Sequence, residues 1–259
     1  MRSFNSAATI GVALADVRRQ SVELELIVVD SGSSDDTLAI VEPLVDRVLH
    51  IPLGGYMPGL ALNMGSRAAE AGVVFAFSSH CRLTRDDWAE RALAHYADPD
   101  VAAVGGSLTT PDGRPLERPY VQRPEDVTNH PFWGFSNHGS SWRRSVWEEL
   151  PFDETSRVED KEWAIRVLAT GRKIVFDPDL WVEQRHRWRV GARRFYKRER
   201  IETEGLARIV PMEPYGVRDL AKEWLSPQDD EHSRLFHLLN YRRAAGLLGQ
   251  YHGRRAARR

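Results

Sequence analysis

The sequence predicts an α/β protein: a mostly parallel, twisted sheet with helices on both faces, followed by a helical carboxyl-terminal extension. Short apolar runs, of the type found in buried parallel strands, alternate with segments of helical spacing over the first two thirds of the chain. Such alternation favours a parallel sheet. The pattern then becomes helical to the end. We therefore divide the chain into an α/β domain over residues 1–190 and a basic helical extension over residues 191–259.

The first predicted strand ends at Asp30, because residues 26–29 are apolar at consecutive positions. The loop after it is rich in serine and aspartate, which cap helix starts well. A helix is expected to follow as far as Val45, although Pro43 weakens its middle. Residues 48–51 are predicted to form the next short strand.

The same alternation continues beyond this point. Residues 60–71 have helical spacing and end at Gly72, and residues 73–77 form the next apolar run. A further helix is expected from Thr84, with a strand at residues 101–104.

The alternation stops between residues 109 and 137, where prolines recur. We expect a long ordered loop over the sheet, and such loops often carry function. Helices are predicted again at residues 142–150 and 159–170, with Gly171 closing the second.

Composition narrows the class of protein. With 42% hydrophobic and 28% charged residues the 259-residue chain is ordinary globular protein. No apolar run approaches the roughly 20 residues of a spanning helix. The lone Cys81 excludes an internal disulfide and fits a reducing compartment. We therefore expect a cytoplasmic protein, with peripheral contact to the inner face of the membrane as an open alternative.

Charge is unevenly distributed. Residues 185–259 contain 18 Lys+Arg and 9 Asp+Glu, which leaves 18 and 28 of the total 36 and 37 for the first 184 residues. The basic part would suit a diphosphate, a lipid headgroup or the acidic half of the chain, or it is a solvated helical face. No nucleic-acid-binding motif accompanies it. Apolar residues at helical spacing in residues 217–251 fit packing on the catalytic domain, membrane docking or a homodimer contact.

Four short segments carry candidate chemistry. Asp30 lies at the carboxyl end of a predicted strand, where open α/β sheets bind ligands, although helix capping also explains the polar loop after it. His80 follows another strand, and neutral imidazole can bind a metal. His186 is a second candidate ligand, but the spacing of two distant histidines defines no metal site. Glu159 and Asp160 lie at the start of a predicted helix. Acids at this position complement the helix dipole, and a carboxylate there could also act as a general base.

Taken in order, these segments resemble the family 2 glycosyltransferases of the GT-A fold. Residues 27–37 are similar to the strand-to-helix donor motif of that family, and residues 77–81 occupy the place of its acidic DXD metal motif. Residues 137–144 and 151–154 resemble its acceptor-side segment. Residues 159–163 match its late acidic motif, and the resemblance covers roughly residues 2–205. It implies that residues 1–190 form a GT-A-like domain that binds a nucleotide sugar and carries the catalytic residues.

The resemblance implies an inverting transfer of a sugar from a nucleotide-diphosphate donor to a hydroxyl of a saccharide or lipid-linked saccharide. Asp160 is implied as the catalytic base, with Glu159 beside it. The implied donor-binding residues are Asp30, Ser31, Asn63, Ser78 and Ser79. The implied acceptor-binding residues are Trp133, Asn137 and His138. Trp133 could stack on a pyranose ring, or it simply packs the loop onto the sheet.

The resemblance also implies a divalent cation, Mn²⁺ or Mg²⁺, that offsets charge on the leaving diphosphate. At the place of the DXD motif this sequence has Ser78-Ser79-His80, which contains no carboxylate. The candidate ligands are therefore His80 and His186, and imidazole suits Mn²⁺ better than Mg²⁺. Diphosphate binding by arginine side chains is the alternative.

The family has an apolar strand just before the segment that corresponds to residues 2–5, where this sequence has only Met1. We expect upstream residues, another segment or another subunit to fill that place. A sugar-1-phosphate nucleotidyltransferase would need a glycine-rich phosphate loop near the amino terminus, and none is found. A non-catalytic sugar-nucleotide-binding or partner subunit remains the alternative function, since the metal motif is altered.

Overall fold

The structure of the protein is a computed structural model that describes residues 1–184, 191–212, 215–225 and 241–258. The chain forms two units, Met1–Arg185 and His186–Arg259. The predicted domain boundary at residue 190 falls outside the described residues and stays a prediction.

The first unit begins with a parallel sheet in the order β1-β2-β3. Its strands are β1 (Arg2–Ser3), β2 (Ile27–Asp30) and β3 (Arg47–His50). The helices between them are α1 (Ile10–Arg18) and α2 (Thr37–Val41). The helix predicted as far as Val45 ends at Val41 and continues as a 3₁₀ turn, Glu42–Leu44, because Pro43 cannot donate an intrahelical hydrogen bond.

A second sheet has the order β4-β8-β6-β9-β7. Its strands are β4 (Val73–Phe77), β6 (Val101–Gly106), β7 (Tyr120–Val121), β8 (Gly139–Arg143) and β9 (Lys173–Asp177). A separate antiparallel pair joins β5 (Cys81–Leu83) to β10 (Val182–Gln184). The helices of this part are α3 (Pro58–Ala68), α4 (Trp88–His95), α5 (Pro124–Asn129), α6 (Arg144–Glu149) and α7 (Glu159–Ala169).

The predicted α/β class is confirmed, but the second sheet is mixed. Strand β8 lies antiparallel between β4 and β6. Parallel neighbours need a crossover connection, usually a helix, whereas β8 returns from the long loop after β6. Trp142 was expected in a helix and lies in this strand, and α6 begins two residues later.

Helices cover both faces of the first sheet. Val28 packs with Ile10 and Leu14 of α1, and the next residue, Val29, packs with Ala61 of α3. Successive strand side chains point to opposite faces, so α1 and α3 lie on opposite sides. An aromatic cluster fills the space beside β8 and α7: its members are Phe135, Trp142, Phe152 and Trp163.

The second unit is helical where it is described. Its helices are α8 (Ala192–Ile209), α9 (Val217–Leu225) and α10 (Tyr241–Ala256). Helix α10 packs closely on α8 at Gly253, where a Cβ atom would come within 2.6 Å of the Arg200 carbonyl oxygen. In the described residues of both units, no helix is long and apolar enough to cross a membrane.

Candidate active site

The Asp30 carboxylate organises the loop that follows β2. Its Oδ1 accepts hydrogen bonds from Ser33 Oγ at 2.6 Å and Ser3 Oγ at 2.9 Å, and its Oδ2 accepts from the Gly32 and Ser33 amides at 3.0 and 2.9 Å. Burial by itself raises the pKa of Asp30, but these donors outweigh it and hold the pKa below its ordinary value. The ionised carboxylate therefore fixes the loop backbone. The buried Ser31 Oγ, next to it, has no hydrogen-bond partner within the described chain.

Strand β1 joins the two sheets at their carboxyl ends. Arg2 pairs with Val29 of β2 on one side and forms an isolated parallel bridge to Ser78, just after β4, on the other. The Ser79 amide donates to the Arg2 carbonyl oxygen at 3.1 Å, and the Ser79 hydroxyl lies 2.7 Å from that of Ser6. Ser78 and Ser79 therefore lie at the same edge of the sheets as Asp30.

The Arg2 side chain extends this connection to the late acidic motif. Its guanidinium donates to the Ser78 hydroxyl at 3.3 Å, to the Asn137 carbonyl oxygen at 2.8 Å and to the Asn137 side-chain oxygen. The Asn137 amide in turn donates to Glu159 Oε1. A continuous chain of hydrogen bonds thus runs from β1 to the start of α7.

Glu159 and Asp160 have different surroundings although they are adjacent. Glu159 is buried, and burial together with repulsion from Asp160 raises its pKa to about 8, against the opposing effect of Arg2. Asp160 is half-buried, and its Oδ1 accepts a hydrogen bond from the Lys161 amide at 2.9 Å. A positively polarised helix start favours a carboxylate there. Burial and the neighbouring carboxylate therefore favour the protonated form of Glu159.

Asn63 is held inside the protein. Its amide donates to the Phe152 carbonyl oxygen and to Glu154 Oε1, both at 2.9 Å. Its oxygen accepts from Trp147 Nε1 at 2.8 Å and the Phe152 amide at 3.1 Å. These bonds use the full capacity of a side-chain amide. We therefore infer that Asn63 connects α3 to α6 and to the segment after it, and does not bind the donor.

The candidate metal ligands are only partly described. His80 lies in the turn between β4 and β5 and is half-buried. His186 lies outside the described residues. Within the described ranges, no three His, Cys, Asp or Glu side chains converge into a group that could hold a metal ion. The described residues therefore do not form a metal site by themselves.

The long loop after β6 carries the other acceptor-side candidates. Trp133 Nε1 donates to the Thr109 carbonyl oxygen at 3.0 Å, and its ring packs against Phe176 with centroids 4.6 Å apart. This packing holds the loop on the sheet. His138 is half-buried and its ring contacts the Ser136 hydroxyl. Asn137 is the member of this group that the structure connects to Glu159.

Arg2 and Ser3 were not predicted as site residues. One feature of the sequence pointed to them: they lie in residues 2–5, the segment that in the family follows an apolar strand. Their partners could not be inferred, because Asn137 is separated from Arg2 by 135 positions.

Comparison with known proteins gives two similar relatives. The chain is 25% identical over 204 residues to the O-antigen chain rhamnosyltransferase RfbN of Salmonella typhimurium, covering 72% of this chain and 65% of that protein. It is 28% identical over 180 residues to the O-antigen chain rhamnosyltransferase WbaN of Salmonella anatum, covering 63% of this chain and 57% of that protein. The matched region thus spans less than two thirds of either relative.

A solved structure shows a similar fold. The mannosyltransferase PcManGT from Pyrobaculum calidifontis, in complex with GDP-Man and Mn²⁺, matches 99% of this chain and 72% of its own with a TM-score of 0.61 and 19% sequence identity. The GT-A fold is therefore confirmed. The model of the family described as "Glycosyl transferase family 2" matches residues 1–167, which contain the Asp30 loop, β1 and the Glu159–Asp160 pair. The chain belongs to glycosyl transferase family 2.

Proposed function

We propose that the chain transfers a sugar from a nucleotide-diphosphate donor to an acceptor hydroxyl with inversion, and that Asp160 is the general base. One observation carries this proposal: hydrogen bonds connect the start of α7 to the strand edge that holds Asp30, through Asn137 and Arg2. A donor bound at that edge and a base at the helix start would then serve one reaction centre.

The chemistry follows from the unequal pair of carboxyl groups. Two neighbouring carboxyl groups whose surroundings separate their pKa values can take different roles. A proton on Glu159 would remove a repelling charge from beside Asp160. In this proposal Asp160, at the start of α7, accepts the proton of the acceptor hydroxyl. The oxygen of the acceptor hydroxyl, as it loses this proton, attacks the anomeric carbon of the donor sugar. The nucleoside diphosphate leaves from the opposite face of that carbon.

On the donor side we propose Ser31, Ser78 and Ser79 as contacts, with Asp30 acting through the loop that it fixes. Ser31 Oγ is buried and lacks a partner in the described part of the chain, so a ligand hydroxyl or base could complete its hydrogen bonding. Asp30 already accepts four hydrogen bonds from the protein, which is about the capacity of a carboxylate.

The proposed classes of donor and acceptor rest on the named relatives. Since both are O-antigen chain rhamnosyltransferases, nucleotide-activated rhamnose is the first donor to test, with a saccharide or lipid-linked saccharide as acceptor. Trp133, Asn137 and His138 remain the proposed acceptor-side residues. A cytoplasmic location, peripheral membrane contact and a homodimer stay predictions.

The described residues supply no convergent set of metal ligands. His80 as a ligand of a donor-bound Mn²⁺ stays a proposal, since the similar mannosyltransferase was solved with Mn²⁺ and GDP-Man. When bound, such an ion would offset negative charge on the diphosphate.

Asp160→Asn tests the proposal. A thermal-shift panel of UDP-, GDP-, dTDP- and CMP-sugars first identifies the donor, because a true ligand stabilises the fold. The variant should then lose about 10²–10⁴-fold in turnover while it retains donor affinity. Asp100→Asn is the matched control, because Asp100 is exposed and precedes β6, at the opposite end of that strand from the site.

Two results would contradict the proposal. Unchanged turnover in Asp160→Asn would remove Asp160 from the role of base. A wild-type protein that binds a sugar nucleotide but shows neither transfer nor donor hydrolysis would favour the non-catalytic binder.

A further inference from the structure

Helix α9, Val217–Leu225, separates its apolar and charged side chains onto two faces. At about 100° for each residue, the apolar residues lie within an arc of about 140°. They are Val217, Leu220, Ala221, Trp224 and Leu225. The rest of the circumference carries the charged residues, which are Arg218, Asp219, Lys222 and Glu223. We call the arc of apolar residues the apolar face of α9.

The apolar face of α9 is open to water. None of the residues of this helix is buried, and Val217 and Leu225 are 66% and 64% exposed. A helix with such a face normally packs it onto a core, because apolar surface in contact with water is unfavourable. An exposed apolar face bordered by charges therefore indicates a surface that an apolar partner covers.

Contacts with α10 hold α9 through other parts of its surface. Arg243 of α10 donates to the Glu223 carbonyl oxygen, and the hydroxyl of Tyr215, just before α9, donates to the Glu223 carboxylate. The Arg254 guanidinium of α10 lies 4.6 Å from the centre of the Tyr215 ring. These contacts position α9 on the second unit and leave its apolar face uncovered.

The second unit is strongly basic. Residues 186–259 contain 17 Lys+Arg and 9 Asp+Glu, an excess of eight positive charges. Within α9, the exposed Arg218 and Lys222 follow Leu225 around the helix and so border the apolar face. The first two turns of α8 add four exposed cations, which are Arg193, Arg194, Lys197 and Arg198. A surface with this excess of charge attracts an anionic partner.

Size and chemistry decide which partner fits. A nine-residue helix is about 14 Å long and about 10 Å wide. Its apolar face is therefore far smaller than the about 800 Å² that each partner buries in a stable protein complex. A nucleic acid would contact the cations but would leave the apolar residues in water. An anionic lipid leaflet accepts both, because its acyl chains take apolar side chains and its headgroups attract the cations beside them.

We propose that α9 lies in the plane of an anionic lipid leaflet, with its apolar face among the acyl chains and Arg218 and Lys222 at the headgroups. The excess positive charge of the second unit adds an attraction that weakens as salt is raised. This docking is independent of the proposed function. Where both hold, the enzyme lies at the surface that contains a lipid-linked acceptor.

Co-sedimentation of the full chain with lipid vesicles tests this proposal. Phosphatidylcholine vesicles with about 30 mol% phosphatidylglycerol should bind the chain at about 50 mM salt and release most of it at about 500 mM. Vesicles of phosphatidylcholine alone should bind it at least about tenfold more weakly, because they lack the anionic headgroups. The readout contains no sugar donor, so it does not depend on transfer activity.

A charge-neutral double substitution tests the apolar face. Val217→Gln with Leu225→Gln should weaken binding to the anionic vesicles by about tenfold or more, because it removes the apolar surface that enters the leaflet. Both side chains are mostly exposed, so the urea midpoint should not change. Val12→Gln with Leu44→Gln is the matched control on the first unit, where these residues are 43% and 44% exposed, and it should bind like the wild type.

A fluorescent label shows which face of α9 enters the lipid. An environment-sensitive dye on Leu225→Cys should shift its emission to the blue on anionic vesicles. The same dye on Asp219→Cys, on the charged face, should not. Cys81 is buried, and burial raises the pKa of its thiol to about 11, so it does not compete for the label.

Several results would overturn the proposal. Absence of binding to anionic vesicles at low salt, or binding that survives the double substitution, would remove the leaflet as the partner. A lower urea midpoint of Val217→Gln with Leu225→Gln would show that the apolar face packs within the chain. Binding of duplex nucleic acid without binding of vesicles would assign the cations to nucleic acid. A dimer in the absence of lipid that the same double substitution dissociates would assign the apolar face to a second copy.

Discussion

The Glu159→Gln substitution should flatten the pH dependence of stability between about pH 5 and pH 8. Glu159 is 3% exposed, and burial and the charge of Asp160 raise its pKa from 4.5 to about 8. In the unfolded chain the carboxyl group returns to its ordinary pKa. Between these two values the folded protein binds a proton that the unfolded protein does not. The contribution of Glu159 to the free energy of unfolding is therefore fully present below about pH 4.5 and is lost as pH rises through about 8.

The magnitude follows from the same two values. The gap between 4.5 and about 8, at about 1.4 kcal/mol for each pH unit, corresponds to at most about 5 kcal/mol. The pKa of about 8 already includes the opposing effects of Arg2 and the Asn137 amide. Because the interval from about pH 5 to pH 8 covers only part of the titration, we expect the wild type to lose about 2–4 kcal/mol across it. Glutamine has the shape of the protonated side chain, and its oxygen can still accept from Asn137. The variant should therefore unfold with nearly constant free energy.

Urea unfolding at about one-unit steps from pH 5 to pH 8 measures this difference. Glu148→Gln is the matched control, because its side chain is 53% exposed and pairs with Arg144 at the surface. The control should follow the wild type. If Glu159→Gln follows the wild type with the same slope, Glu159 does not hold an additional proton in the folded state, and our explanation of the carboxyl pair fails.

Three further substitutions test other parts of the site. Asn137→Ala breaks the link from Arg2 to Glu159 and should lower kcat more than donor affinity, with a stability loss of about 1–3 kcal/mol; wild-type kcat would show that the link does not position the pair. Asn63→Ala removes four hydrogen bonds and should lower the free energy of unfolding in urea by about 2–4 kcal/mol. A loss of donor affinity at unchanged stability would instead show that Asn63 belongs to the donor site. His80→Ala should weaken donor binding only when Mn²⁺ is present, and calorimetry that shows no effect of either the ion or the substitution would remove the metal role.

Local sequence was sufficient for several parts of the fold. Consecutive apolar residues identified β2 and β4, because a strand buried on both faces needs apolar side chains at every position. The late helix was predicted at Glu159 with Gly171 as its stop, and α7 begins at Glu159 and has Gly171 just beyond its end with a φ of +82°. These features depend on residues that are near each other in the chain.

The position of β8 could not be predicted in this way. Its residues 140–142 are Ser-Ser-Trp, which have no strong strand pattern, and they form a strand because β4 and β6 provide partners on both sides. The partners of Asn63 could not be predicted either, because they come from α6 and the segment after it, 84 and 89 positions away in the chain.

By itself, the sequence determined the α/β class, the family resemblance and the identity of the acidic pair, because short-range patterns of apolarity and charge encode them. Only the tertiary structure decided the surroundings of each member of that pair. The chain from Arg2 through Asn137 to Glu159 joins residues 135 and 22 positions apart, and the burial that raises the pKa of Glu159 comes from segments that folding brings together. Desolvation and hydrogen bonding act through space, so their effects on a side chain are decided by its neighbours in the fold.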